Sequence, residues 1–127
     1  MDTERRVEHA LTLHQPWGQA ILAGCKGVEN RSWRLKLPAS GGRWVGVHFG
    51  ARQDAQGYLA VARLAPHLHL QALEPGIYGA MRIDACVPVE DRPDDPWACG
   101  PWCWVIGEVV WLPEPVLCGG RQGLWRV

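Results

Sequence analysis

Alternating apolar and polar residues along "IYGAMRIDACV", at positions 77–87, constrain the fold more than any other feature of the chain. Successive side chains of a β-strand point to opposite faces, so residues two apart share a face. One face carries Ile77, Met81, Ile83, Ala85 and Val87, whereas Arg82 and Asp84 lie on the other. Gly79 is typical of a bulge or a bend in a barrel strand. The stretch therefore predicts a half-buried strand in a curved sheet.

Five other stretches have the pattern or composition of strands, without the repeating βαβ rhythm of a parallel sheet. They are residues 11–14, 27–33, 43–49, 102–112 and 123–127. The stretch 102–112 is apolar on both faces, which is typical of a central strand.

Two helices are predicted between these strands. Pro16 suits the first turn of a helix, and Gly24 suits its end because glycine tolerates a positive φ. Asp54 is a candidate N-cap for a second helix over residues 55–65, which Pro66 ends. Several short strands with two helices predict the α+β class, as a small barrel of about five or six strands.

Chain length and charge narrow the class of protein. With 127 residues we expect one domain at residues 11–127, preceded by an N-terminal extension at residues 1–10. Basic and acidic residues number 13 each, so we do not expect a basic surface that wraps duplex DNA through phosphates alone. No stretch approaches the ~20 apolar residues of a membrane span, and the charged start is unlike a secretory signal. We expect a cytoplasmic protein without a membrane partner.

The cysteine and tryptophan residues indicate the redox state, the absence of a zinc motif and the composition of the core. The 5 Cys lack the spacing of a disulfide framework, so we expect reduced thiols. Cys99 and Cys103 do not form the C-x-x-C pair of a zinc site, and we predict no metal or other cofactor. Indoles fill cores and also stack on bases, so we expect most of the 8 Trp in the core and one or two at a cleft.

A charged block follows the first predicted helix, where Lys26, Glu29 and Arg31 occur in the pattern G-x-K-x-x-E-x-R. Glu29 and Arg31 share a strand face and lie roughly 6.5 Å apart along it. Arg31 offers a planar fork for phosphate or a base, Lys26 a mobile charge, and Glu29 an acceptor for a base edge or a ribose hydroxyl. Trp17 and Trp33 are candidate stacking walls. Alternatively, the block is a salt-bridged turn that stabilises the fold by roughly 0–1 kcal/mol.

The segment "LTLHQPWGQAILAGCKGVENRSW" resembles the opening of the ASCH (activating signal cointegrator homology) domain, with its Q-P-W helix start and G-x-K turn before Glu29. The later pieces "RWVGVHF", "PGIYGAMRIDAC" and "LPEPV…GLWRV" are similar to the family as well. The resemblance covers roughly residue 11 to the C-terminus. It implies a PUA-like β-barrel, related to the barrels of pseudouridine synthases and archaeosine transglycosylases.

The resemblance also implies a cleft between the first helix and the barrel, walled by the charged block. The family is associated with RNA or other nucleic-acid binding, so we expect a ligand of that kind or a nucleotide, and a role in RNA metabolism or its regulation. The residues that we expect to contact the ligand are Gln15, Trp17, Lys26, Glu29, Arg31 and Trp33. A monomer is favoured.

Two alternatives remain open. One branch of the superfamily hydrolyses N4-acetylcytidine with a G-x-K-x-x-T motif, and here Lys26 matches the Lys whereas Glu29 replaces the nucleophilic Thr. If the protein is an enzyme, it is a hydrolase of the amidohydrolase or ribonuclease type with Lys26 and Glu29 as its catalytic residues, and His14 or His48 as a candidate third. The other alternative is a module that docks a protein through exposed Trp side chains.

Overall fold

A computed structural model describes residues 7–127 of the chain. Residues 1–6, which belong to the predicted N-terminal extension, lie outside the described residues. The elements in chain order are strand β1 (His9–Gln15), helix α1 (Trp17–Leu22), strands β2 (Val28–Arg31) and β3 (Arg43–Gln53), helix α2 (Ala55–Leu64), and strands β4 (Gly76–Pro88), β5 (Trp102–Leu117) and β6 (Leu124–Arg126). The strand β1 begins two residues before the predicted start of the domain at Leu11.

The six strands form a single mixed sheet in the order β2-β5-β4-β3-β1-β6. β1 pairs with β3 in parallel, and the other neighbours are antiparallel. With its two helices this is the predicted α+β, barrel-like fold. Register shifts interrupt the β4–β5 ladder, and one lies between Ile77 and Gly79. A Cβ at Gly79 would lie 2.2 Å from the carbonyl oxygen of Val110, so glycine is required by the close approach of the two strands.

The core lies on the predicted face of β3 and on part of the predicted face of β4. Met81 and Ile83 face the core as predicted, but Tyr78 and Cys86 do so as well, because register shifts in the β4–β5 ladder change which side chains point inward. Val45, Val47 and Phe49 of β3 and Met81 of β4 are buried in one cluster, to which Trp104 of β5 also belongs. Burial of these side chains is the main force that fixes the sheet register, because a slip of one residue would expose the whole set.

Strand β5 corrects one prediction. It lies between β2 and β4 only over its first part, since β2 pairs with positions 102–105. Beyond that point β5 has β4 on one side only, and Trp111, Val116 and Leu117 are exposed. The prediction of a central strand is therefore wrong for the second half of β5, because β2 is only 4 residues long.

Tryptophan burial also differs from expectation. Trp44 and Trp104 are buried, Trp33 and Trp111 are exposed, and the remaining Trp side chains are half-buried. Indoles with one exposed edge are common because the ring is too large to be enclosed easily by a small domain.

The helix ends follow the sequence signals. Gly24 has a φ of 81° and turns the chain after α1. Asp54 caps α2, where its Oδ1 accepts a hydrogen bond from the Gln56 amide at 3.0 Å. Neither helix within residues 7–127 is long and apolar enough to cross a membrane.

Candidate functional site

The end of α1 places the charged block. After Gly24 reverses the chain, the backbone amide of Lys26 donates to the carbonyl of Ala20 at 3.0 Å, which holds Lys26 against the helix. The chain then enters β2, where Glu29 pairs with Trp104 and Arg31 with Trp102 of β5. The site therefore forms where α1, its C-terminal turn and the short strand β2 meet.

Three side chains form what we call the Glu29 cluster: Lys26, Glu29 and Arg31. Lys26 Nζ lies 3.3 Å from Glu29 Oε1, and Arg31 Nε lies 2.9 Å from Glu29 Oε2. The side chains of Lys26 and Glu29 are only 3% and 8% exposed, whereas that of Arg31 is 24% exposed. Lys26 Nζ also donates to the carbonyl of Val28. One buried carboxylate thus joins two cations, and the three side chains carry a net positive charge.

Trp17 forms a wall of this cluster. Lys26 Nζ lies 5.3 Å from the centroid of the Trp17 ring, a cation–π distance. The indole Nε1 donates to Asp54 Oδ2 at 2.8 Å, and Trp97 packs edge-on against Trp17 at 6.4 Å. The bond from Trp17 is the largest cause of a pKa of Asp54 below its usual value, because it stabilises the carboxylate.

Arg31 is the most exposed member of the cluster. Its Nη2 donates to the backbone carbonyl of Thr12 at 3.2 Å, and Nε is engaged by Glu29. Within residues 7–127 its Nη1 has no hydrogen-bond partner. The guanidinium is therefore held by two groups and retains donors that a phosphate or a base can accept.

The other two predicted ligand residues lie apart from these contacts. Gln15 is 2% exposed, and its Nε2 donates to the carbonyls of Gly50 and Leu73, both at 2.9 Å. Trp33 is 36% exposed and packs edge-on against Trp104 with ring centroids 4.8 Å apart. The structure therefore brings Trp17, Lys26, Glu29 and Arg31 together, while Gln15 occupies an interior position and Trp33 a surface position.

Two residues that support the site, Asp54 and Asn30, are not identified by the sequence patterns. Asp54 was predicted as a helix cap but not as the partner of Trp17. Asn30, on the opposite face of β2, accepts from the amides of Cys99 and Gly100, both at 2.9 Å, and donates to the carbonyl of Trp97. No local pattern reveals these contacts, since their partners are 37 or more residues away in the chain.

The residues predicted for a catalytic role lie in different surroundings. Both oxygens of Glu29 contact a cation, and the carboxylate side chain is only 8% exposed. His48 is buried and its Nε2 lies 2.7 Å from the carbonyl of Cys118, while His14 is exposed; neither is bonded to Glu29. Among the described residues, no group of three or more His, Cys, Asp or Glu side chains is arranged to hold a metal ion.

Two surface cavities lie elsewhere. One of about 480 Å³ is lined by residues 91–96. The other, of about 260 Å³, lies between α1 and the half-exposed ring of Trp111. Neither is lined by a member of the Glu29 cluster.

Comparison with known families matches one family model to the part of the chain that contains the site. The model of the ASCH domain matches residues 11–83, more than half of the chain. This region contains both helices and the Glu29 cluster. A search among curated proteins found no match. The chain belongs to the ASCH domain family, whose fold is PUA-like.

Proposed function

We propose that this protein binds RNA, or another nucleic acid or nucleotide, at the Glu29 cluster, and that it acts in RNA metabolism or its regulation. Membership in the ASCH family indicates an RNA-binding type of module in general. The observation that carries the proposal is the state of Arg31, which two groups hold in place while Nη1 keeps its donors for a ligand.

The cluster favours an anion for electrostatic reasons. Glu29 neutralises one of the two cations, and the remaining positive charge is partly shielded from water. A guanidinium already fixed by hydrogen bonds loses little side-chain entropy when it binds a phosphate. Lys26 is nearly fully buried, so it acts through its charge and by holding Glu29, while Arg31 makes the direct contact. In this proposal Trp33 stacks on a base, and Trp17 and Gln15 shape the cleft.

Binding is better supported than hydrolysis. Glu29 stands where an amidohydrolase relative has the nucleophilic Thr, and its carboxylate is engaged by two cations that hold it in place. Incubation of the protein with N4-acetylcytidine and with RNA separates the two functions. We expect measurable binding without turnover, and turnover that disappears in a Glu29→Gln protein whose folding has been verified would establish the hydrolase instead.

Replacement of Arg31 tests the binding site. Arg31→Ala removes the exposed cation while Lys26 still pairs with Glu29, so the fold should be retained. We expect the affinity for a labelled RNA strand to fall about 10- to 100-fold, the usual effect of losing a charged hydrogen bond. Replacing Lys26 is a poorer test, because it leaves a buried carboxylate with fewer partners.

The matched control is Arg63→Ala, which removes the same charge from α2. Arg63 is exposed and lies two residues from buried Val61, hence on the far side of that helix. Fluorescence anisotropy of labelled RNA gives the affinity of each variant. Equal affinities of a folded Arg31→Ala protein and the wild type would refute the site.

A docking function is the second candidate, favoured by the apolar second half of β5. Trp111, Val116 and Leu117 are 48%, 55% and 57% exposed. Pro113 and Pro115 lie in the same stretch and cannot donate to a neighbouring strand, which limits pairing at this edge.

We propose that the protein is a monomer, and sedimentation at increasing concentration should show a single species of 14.1 kDa.

We also place the protein in the cytoplasm. All 5 cysteines are free thiols, which is the usual state in a reducing compartment. Fractionation of cells with a specific antibody tests this assignment.

A further inference from the structure

The segment that follows β2 carries exposed basic and aromatic side chains. Trp33, Arg34 and Lys36 are exposed, and the guanidinium of Arg34 lies 5.5 Å from the ring centroid of Trp102. We call these four residues the basic–aromatic strip. It begins two residues after Arg31, and no Asp or Glu occurs between Glu29 and Asp54.

This segment is anchored although it forms no helix or strand. Leu35 is only 3% exposed, and its amide donates to Cys86 Sγ at 3.4 Å. The carbonyl of Trp33 accepts from Trp104 Nε1 at 3.3 Å, and that of Lys36 accepts from Arg43 at 3.2 Å. Backbone hydrogen bonds at Trp33, Leu35 and Lys36 thus fix the segment with Leu35 inward, and they leave the side chains of Trp33, Arg34 and Lys36 at the surface.

The chemistry of the strip matches an unpaired nucleotide chain. Arginine and lysine bind phosphates, and an exposed indole stacks on the face of any base. Arg34, beside the ring of Trp102, presents a flat cation that stacks on a base or bonds a phosphate. Because five residues span at most ~18 Å, the distance from Arg31 to Lys36 is one that a few nucleotides cover.

We infer that the basic–aromatic strip binds the continuation of a single-stranded nucleic acid whose phosphate or base is held by Arg31. This inference rests on the proposed function. Arg34 and Lys36 contact phosphates, and Trp33 stacks on an unpaired base. A duplex fits less well, because its base faces are covered by stacking and the chain has no net positive charge to attract two phosphate backbones.

The first test compares two charge deletions of equal size. Arg34→Ala/Lys36→Ala removes two cations of the strip, and Arg52→Ala/Arg63→Ala removes two exposed cations outside it. The probe is a fluorescein-labelled single strand of about ten nucleotides. We expect the strip variant to bind about tenfold more weakly, with a salt dependence reduced by ~1.4 in log–log slope because two phosphate contacts are lost. The control variant should bind with the affinity and the salt dependence of the wild type.

The second test concerns stacking. Trp33→Ala should weaken binding by about tenfold, whereas Trp33→Phe keeps an aromatic face and should retain most of the affinity. Thermal unfolding of both variants checks that the contact with Trp104 is not needed for folding. Equal losses for Ala and Phe, or none for either, would refute the stacking role.

The third test compares RNA and DNA single strands with the duplex of the same sequence. Binding of either single strand at least about tenfold more tightly than the duplex supports the inference, and equal or tighter binding of the duplex overturns it. If Arg31→Ala loses binding while the strip variant does not, the strip is refuted and the proposed site stands. If the wild type binds none of the probes, the proposed function itself fails.

Discussion

Two ion clusters lie on opposite sides of the β5 axis in the sheet, one with β2 and one shared by β4 and β5, and they are near mirror images in charge. The Glu29 cluster places one carboxylate between two cations at the β2 side. On the β4 side, Arg82 lies between two carboxylates, 2.7 Å from Asp84 and 3.1 Å from Glu108. Each contains a pair of opposite charges two residues apart on one strand, a pattern visible in the sequence.

The two ion clusters differ in how deeply their side chains are buried. The side chains of Arg82, Asp84 and Glu108 are 35%, 40% and 41% exposed, compared with 8% for Glu29. An exposed pair gains little because water competes for both charges, whereas a buried charge that loses its partner is left without solvation. The same sequence pattern therefore marks a surface contact in one place and an essential interior contact in the other.

The largest loss of stability is expected when Glu29 is replaced. Glu29→Gln leaves the buried ammonium of Lys26 without its counter-charge, and such a loss typically costs about 3–5 kcal/mol. Urea unfolding should show this decrease in the free energy of unfolding. A loss below about 1 kcal/mol would mean that the cluster is no more important than the exposed one.

A second replacement sharpens this result. Lys26→Met/Glu29→Gln removes the uncompensated charge together with its partner, so it should recover at least half of the lost stability. A double variant that is less stable than Glu29→Gln alone would show that packing, not charge, is responsible.

An intermediate effect is expected at Asp54, which supports the Trp17 wall of the buried cluster. Asp54→Ala loses the helix cap and the bond to Trp17, with an expected cost of about 2 kcal/mol. Asp54→Asn still caps a helix and should cost about 1 kcal/mol. Thermal and urea unfolding of the two variants separate the cap from the Trp17 bond.

The difference between the wild type and Asp54→Asn should depend on pH. The pKa of Asp54 is lowered in the folded protein, chiefly by the Trp17 hydrogen bond, so the folded state binds the proton less readily than the unfolded state. The stabilisation is complete above the ordinary pKa, near 4, and is lost as the pH falls through the lowered value. A difference that persists unchanged in strong acid would contradict this assignment.

The smallest effect is expected in the exposed cluster. Asp84→Asn should cost less than about 1 kcal/mol, and the loss should shrink further in about 1 M NaCl because salt screens exposed charges. The loss caused by Glu29→Gln should remain in the same salt. Equal salt sensitivity of the two variants would remove the distinction that burial makes.

Much of the fold could be predicted because it depends on local patterns. The period of two along β4 predicted the inward positions of Met81 and Ile83, but not those of Tyr78 and Cys86, which depend on register shifts against β5. Asp54 marked the start of α2, and Gly24 marked the turn after α1. The exposed second half of β5 was not predictable, because it depends on where the partner strand β2 ends. The hydrogen bonds between Asn30 and residues 97–100 were not predictable either, because they also depend on a segment distant in the chain.

The sequence alone determined the α+β class, the family and the face that Glu29 and Arg31 share, since periodicity and short motifs are local properties of the chain. Only the tertiary structure decided that Glu29 is buried between two cations, that Arg31 retains donors at the surface, and that Arg34 meets Trp102. Burial and pairing depend on which distant segments pack together. Pairs of opposite charge at the same spacing on β2 and β4 therefore have different physical consequences.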